Sequence, residues 1–69
     1  MAPFGERLKY LRVTRKVKVA DLAALLDVST RQLNRYERDE QEPSLAQLVQ
    51  IARFYHVSAD YLLGLTDRE

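Results

Sequence analysis

A join of three residues between two helix-like segments constrains the fold of this chain more than any other feature. Apolar residues recur at helical spacing in residues 19–26 and again in residues 29–38. Only Asp27, Val28 and Ser29 mark the break between the two patterns. A connection this short is typical of two helices that cross steeply, as in a helix-turn-helix arrangement.

The rest of the chain is also predicted to be helical, because no segment shows the alternation of a β-strand. Ser29 and Ser44 each precede a helical pattern, and Gln32 and Gln47 follow three residues later, as in a capping box. Ser58 is the predicted cap of the last helix. We therefore predict an all-α fold of five short helices, at about residues 3–15, 19–26, 29–38, 44–55 and 58–64.

The 69 residues predict one domain, residues 1–69, in which residues 65–69 form a tail that could lead to a further domain. One histidine and no cysteine exclude an ordinary zinc site, and no other cofactor is predicted. The chain has no glycine-rich phosphate loop, and its serines are interpreted as caps, so no catalytic residue is predicted. Without an apolar membrane segment or signal peptide, we expect a cytoplasmic protein.

Charge is distributed unevenly along the chain. Residues 1–38 hold nine Lys or Arg against four Asp or Glu, a net charge of +5. Residues 39–69 hold two against six, a net charge of −4. The basic half predicts a polyanionic partner, and the alternative is an ordinary solvated surface.

A helical wheel of the third helix separates two faces. Leu33 and Tyr36 point inward, and Glu37 lies near them. The outward face has no carboxylate and consists of Arg31, Asn34, Arg35 and Arg38, with Thr30 at its boundary in the first turn. Because arginine matches guanine and asparagine matches adenine in the major groove, this face predicts contacts with DNA bases. Its early residues are predicted to contact bases, and Arg38 to contact phosphate.

The first helix places Arg12 beside its apolar stripe, so this side chain is predicted to point toward the core. A buried arginine requires a carboxylate, and Glu37 is the inward acid of the third helix. We predict an Arg12–Glu37 ion pair. The alternative is two independent surface charges.

Five stretches carry a family resemblance: "GERLKYLR" (5–12), "DLAALLDVS" (21–29), "RYE" (35–37), "PS" (43–44) and "VSADYLLGLTD" (57–67). Their order and spacing resemble the phage-repressor-type (Cro/repressor, XRE) helix-turn-helix family. The resemblance implies a lambda-repressor-like domain, with the helix-turn-helix at helices two and three, that binds a symmetric double-stranded DNA operator as a homodimer. It also implies the Arg12–Glu37 pair and base contacts from Ser29, Thr30, Arg31, Asn34 and Arg35.

The chain departs from the family pattern at several positions. Members usually begin helix two with Ser or Thr and then Gln, where this chain has Lys18 and Val19; Lys18 is predicted to contact phosphate by its charge. Lys16 and Asp27 stand where members often have glycine. The sequence assigns no role to the acidic loop that replaces a basic clamp, which contains Asp39, Glu40 and Glu42.

These patterns predict a sequence-specific DNA-binding transcriptional regulator, specifically a repressor, with no small-molecule ligand. The alternative is a helix-turn-helix module that binds proteins, as adaptors or toxin-neutralising proteins do. The acidic loop and the missing Gln favour this alternative. Phe54, Tyr61 and Leu65 are candidates for a dimer interface, although an exposed aromatic such as Phe54 can also be incidental.

Overall fold

The computed structural model describes residues 3–69, which contain five α-helices and no β-strand. The all-α prediction is therefore confirmed, with helix bounds that differ by no more than two residues from those predicted. Residues 1 and 2 of the predicted domain lie outside the described part. The helices are α1 (Phe4–Thr14), α2 (Val19–Leu25), α3 (Thr30–Glu37), α4 (Leu45–Tyr55) and α5 (Ala59–Leu62).

The three predicted serine caps are present at the N-termini of α3, α4 and α5. The hydroxyls of Ser29, Ser44 and Ser58 each accept a hydrogen bond from the backbone N–H three residues later, over 3.0–3.1 Å. Only α4 has the complete capping box, in which Gln47 Oε1 accepts from Ser44 N–H. The box predicted for α3 is wrong in its second half, because Gln32 Nε2 donates to a tyrosine hydroxyl instead.

Each of the five helices is followed by a residue with a left-handed backbone conformation. Lys16, Asp27, Asp39 and His56 have φ of 57–58°, and Gly64 has φ of 80°. The amide after each of these residues donates, over 2.9–3.0 Å, to the carbonyl five positions earlier. This is the Schellman termination, which glycine adopts most easily. The four other residues end their helices at a cost in backbone strain.

Lys16→Gly is expected to raise the free energy of unfolding by about 0.5–1 kcal/mol. Glycine relieves the strain of the left-handed conformation, which costs other residues about 1–2 kcal/mol. Part of this gain is lost, because glycine increases the conformational entropy of the unfolded chain. The Lys16 side chain is exposed, so little packing is lost. Urea denaturation at constant m value measures the change. Lys16→Ala is the control, because it keeps Cβ; equal effects of the two substitutions would contradict the backbone explanation.

The hydrophobic core lies between all five helices. Helix α3 packs against both α1 and α2, and α5 packs against α1 and α4. None of the helices in residues 3–69 is long and apolar enough to cross a membrane. The largest fully buried side chains are Leu8, Leu11, Leu22, Leu33, Ile51 and Leu62.

A buried arginine, which the sequence analysis missed, attaches the C-terminal segment to α1. Arg7 is 7 % exposed, and its Nη1 donates to the carbonyls of Tyr61 (2.9 Å) and Thr66 (2.5 Å). Its Nη2 pairs with Asp67 at 2.7 Å. The guanidinium also lies 4.4 Å from the centre of the Tyr61 ring. The sequence offered one signal for the burial of Arg7, because Arg7 precedes the core residue Leu11 by four residues and so lies on the same face of α1.

This arrangement corrects one member of the predicted dimer interface. Tyr61 is only 7 % exposed, because α5 turns its ring inward beneath Arg7. Burial raises the pKa of the Tyr61 phenol, although the nearby Arg7 charge opposes the shift. Little of Tyr61 is therefore available to a partner, although it lines a surface hollow with Arg7 and Tyr10. Phe54 and Leu65 remain exposed, at 44 % and 67 %.

Candidate nucleic-acid interface

Helix α3 is anchored on one side and open on the other. Leu33 and Tyr36 are buried in the core, at 0 % and 4 % exposure. The opposite side contains the predicted base-contacting residues. Thr30, Arg31 and Asn34 are exposed and Arg35 is partly buried, as is expected for a side chain at the edge of the packed face. All of these side chains therefore lie on a helix that is held in place by its packing against α1 and α2.

Ser29 stands at the start of this face and also has a structural contact. Its hydroxyl oxygen accepts the N–H of Gln32 at 3.0 Å, which satisfies a free donor in the first turn of α3. The residue is exposed, so its hydroxyl proton can still be donated to a ligand.

The structure brings Arg12 and Glu37 together in a two-pronged ion pair. Arg12 Nε lies 2.6 Å from Glu37 Oε2, and Arg12 Nη2 lies 3.2 Å from Glu37 Oε1. The two side chains are 15 % and 5 % exposed. The hydrogen bond to Glu37 raises the pKa of Arg12, against the opposing effect of burial. The pair connects α1 to the last turn of α3.

A second connection between α1 and α3 involves the acidic loop. Asp39 follows the C-cap of α3, and its Oδ1 accepts the backbone N–H of Gly5 at 2.9 Å. Gly5 lies in the first turn of α1, where the helix dipole favours a negative charge. One of the three acids that the sequence left unassigned therefore caps a helix that begins 35 residues earlier.

Arg38, the predicted phosphate contact, has an acidic neighbour. Its Nε lies 3.2 Å from Glu40 Oε2, and both side chains are more than half exposed. An exposed pair of this kind is weak, so it restrains the Arg38 side chain little. Glu40, the second acid of the loop, thus partly neutralises the charge of Arg38.

A basic residue of α1 also reaches this surface. Lys9, Asn34, Glu37 and Arg38 line a shallow hollow of about 180 Å³ beside α3. The sequence analysis did not select Lys9, because only the packing of α1 against α3 places it here. The charge of Lys9 lies near the outward face of α3.

Helix α2 begins without a side-chain cap. Lys18 occupies the N-cap position with an extended backbone, and its side chain forms no cap hydrogen bond. Val19 packs partly against the core. Lys18 is exposed and free to act as a point charge at this end of the helix-turn-helix.

The acidic loop also borders a groove that is separate from α3. The groove has a volume of about 450 Å³ and includes Asp39 and Glu42 on its acidic side. Leu45 and Leu63, which are 82 % and 47 % exposed, form part of its apolar lining.

The packed α2–α3 pair with its short join, together with the packing of α3 on α1 and the open polar face of α3, defines a helix-turn-helix domain of the phage-repressor type. A family model described as "Helix-turn-helix" matches residues 8–62, and the chain belongs to this family. The resemblance predicted from the sequence motifs is confirmed.

Known proteins of this type are similar over most of the chain. The uncharacterized HTH-type transcriptional regulator YobD of Bacillus subtilis is 40 % identical over 64 residues, which cover 93 % of this chain and 57 % of that regulator. The chain thus spans little more than half of its relative.

Two solved structures share the fold. The P22 c2 repressor in complex with a synthetic operator is 32 % identical, with a TM-score of 0.82 over 91 % of this chain and 96 % of that one. A transcriptional regulator from Listeria innocua is 34 % identical, with a TM-score of 0.85 over 88 % and 57 %.

Proposed function

We propose that this chain is the sequence-specific DNA-binding domain of a transcriptional repressor that inserts α3 into the major groove. The observation that carries the proposal is the outward face of α3, where Arg31, Asn34 and Arg35 stand on a firmly anchored helix. The operator complex of the similar P22 c2 repressor supports it. A protein with this role works at the genome, and we propose a cytoplasmic location.

The side chains divide into two groups by their expected contacts. Ser29, Thr30, Arg31, Asn34 and Arg35 face base edges, where bidentate hydrogen bonds can distinguish base pairs. Three charged residues around them, Lys9, Lys18 and Arg38, contact phosphates and set orientation and overall affinity.

Selection from a random duplex pool tests the proposal directly. We expect one sequence to be enriched. Its binding constant, measured by fluorescence anisotropy, should fall steeply with salt: the slope of log binding constant against log salt concentration should be about −0.9 for each phosphate contacted. Failure to enrich any sequence, together with a flat salt dependence, would exclude DNA binding.

Arg31→Ala is expected to weaken operator binding by about 1–3 kcal/mol and to relax the preference at one base pair. Lys18→Ala is the matched comparison, because it removes an exposed charge from the same motif without a base contact. It should weaken all sequences alike and reduce the salt slope by about 1. Unchanged operator affinity and base preference in Arg31→Ala would overturn the assignment of this face of α3 to the DNA bases.

We further propose that the domain binds a symmetric operator as a homodimer, with Phe54 and Leu65 as candidate interface residues. Both are apolar and exposed, and Leu65 lies two residues after the exposed Leu63. Sedimentation of the protein on a full operator and on a half-site distinguishes two bound copies from one. Leu65→Lys should lower cooperative binding to the full operator and leave half-site binding unchanged.

One observation favours a second function, a protein-binding module. The groove beside the acidic loop exposes Leu45 and Leu63, and such a surface suits an apolar side chain with basic neighbours. The salt series separates the two functions, because a protein-binding module would show no affinity for duplex DNA even at low salt.

A further inference from the structure

A single amide side chain of α4 contacts both helices of the helix-turn-helix as well as the N-cap of its own helix. Gln47 lies in the first turn of α4, and its Oε1 accepts from Ser44 N–H at 2.9 Å and from the Tyr36 hydroxyl at 3.0 Å. Its Nε2 donates to the carbonyl of Leu26 at 3.2 Å. The same side chain therefore connects α4 to the end of α2 and to the last turn of α3.

The groups that Gln47 contacts have few other ways to be satisfied. Leu26 caps α2, so its carbonyl has no following helical turn to bond. Tyr36 is 4 % exposed, and the polar end of a buried tyrosine requires a partner. The Tyr36 hydroxyl also accepts from Gln32 Nε2 at 3.4 Å, which extends the connection to the first turn of α3.

We infer that Gln47 is a positioning residue that sets the placement of α3 relative to α2, and thereby the discrimination between operator and other DNA. The inference rests on the proposed function of α3. Gln47 does not face DNA in this role and acts through Leu26 and Tyr36. Because base contacts depend on placement to a fraction of an ångström and phosphate contacts tolerate more, its loss affects specific binding first.

Gln50 provides a matched control on the same helix. Its Nε2 also donates to a carbonyl of α2, that of Leu25, but the contact is long, at 3.4 Å, and exposed. It has no bond to α3 among the contacts of residues 3–69. Gln50→Met therefore removes a similar amide without releasing the recognition helix.

The experiment compares Gln47→Met, Gln47→Glu and Gln50→Met for affinity to the selected operator and to random duplex DNA. Gln47→Met should lower operator affinity about tenfold, as expected for the loss of the two hydrogen bonds that reach Leu26 and Tyr36. Random-duplex affinity and its salt slope should stay within about twofold. Gln50→Met should resemble the unaltered protein in both.

Gln47→Glu separates positioning from stability. Its carboxylate can still accept from Ser44 and Tyr36, and a negative charge suits the first turn of α4, so the urea midpoint should fall less than in Gln47→Met. It cannot donate to the Leu26 carbonyl and repels it instead. We therefore expect a stable protein with reduced discrimination. This variant also keeps the test decisive if Gln47→Met fails to fold.

The outcomes distinguish failure of this inference from failure of the proposed function. If the unaltered protein prefers an operator and both Gln47 variants discriminate as well as Gln50→Met, the role of Gln47 is overturned and the function stands. If the unaltered protein prefers no sequence, the proposed function fails and this inference fails with it. A double variant with Tyr36→Phe should lose less discrimination than the two single changes added together.

Discussion

Glu37→Gln is expected to lower the free energy of unfolding by about 3 kcal/mol, the lower end of the range for a broken buried ion pair. Glutamine keeps the size of the side chain but leaves the Arg12 guanidinium, only 15 % exposed, without its counter-charge. Arginine is not deprotonated in proteins, so Arg12 keeps its charge in the variant and that charge is left uncompensated. Chemical denaturation at neutral pH provides the measurement.

Glu40→Gln is the matched control for this prediction. It removes a carboxylate from the Arg38–Glu40 pair three residues away, where the side chains are 62 % and 53 % exposed. An exposed pair contributes about 0–1 kcal/mol, so the control should change little. A second test replaces both partners with apolar residues, as Arg12→Met with Glu37→Leu, and should recover much of the loss. Similar effects of Glu37→Gln and Glu40→Gln would show that burial does not make the first pair important.

Gly5→Ala is expected to destabilise the fold by about 3 kcal/mol, the upper part of the usual range for overpacking. An added Cβ would lie 2.6 Å from the carbonyl oxygen of Glu37, 2.8 Å from Asp39 Oδ2 and closer still to the carbonyl of Tyr36. Two of these atoms are backbone atoms at the end of α3, so α1 would have to move away. That movement would break the Gly5–Asp39 hydrogen bond and strain the neighbouring ion pair.

The sign of the Gly5→Ala effect distinguishes this contact from helix propensity. Alanine is normally preferred to glycine within a helix by about 1 kcal/mol. Ala46 occupies the same position in α4 as Gly5 in α1, the second helical residue, and is exposed. Ala46→Gly should therefore destabilise the protein modestly, which shows the ordinary preference. If Gly5→Ala stabilised the protein, the close approach of α1 to α3 would be refuted.

These two sites have a common consequence for the recognition helix. The Arg12–Glu37 pair and the Gly5–Asp39 contact both hold the C-terminal end of α3 against α1. The Gln47 amide also holds α3, through the hydroxyl of Tyr36. A rigidly held helix makes precise contacts at low entropic cost, which is the condition that base recognition requires.

The acidic loop has a clearer interpretation with the structure than with the sequence alone. The sequence assigned this loop no role, and its charge favoured the alternative of a protein-binding module. Asp39 instead caps α1, and Glu40 pairs with Arg38. The loop is therefore partly structural. Glu42 differs from these two acids, because it borders the groove that also includes Leu45.

The sequence by itself determined the features that depend on neighbours three or four residues apart. Ser29, Ser44 and Ser58 predicted three helix starts, because a cap bonds an amide of its own first turn. Helical periodicity predicted the inward and outward faces of α3. The same periodicity predicted the pairing of Arg12 with Glu37, since both charges fall on packed faces.

Only the tertiary structure decided the contacts that depend on how the helices pack. Arg7 meets Asp67 across 60 residues, and Gly5 meets Asp39 across 34. No local pattern encodes such distances. Tyr61 was expected on the surface, but the packing of α5 places its ring under Arg7. Helix caps and helical periodicity follow from hydrogen bonds within one helix. The long-range contacts instead follow from the few angles at which five short helices can pack around one core.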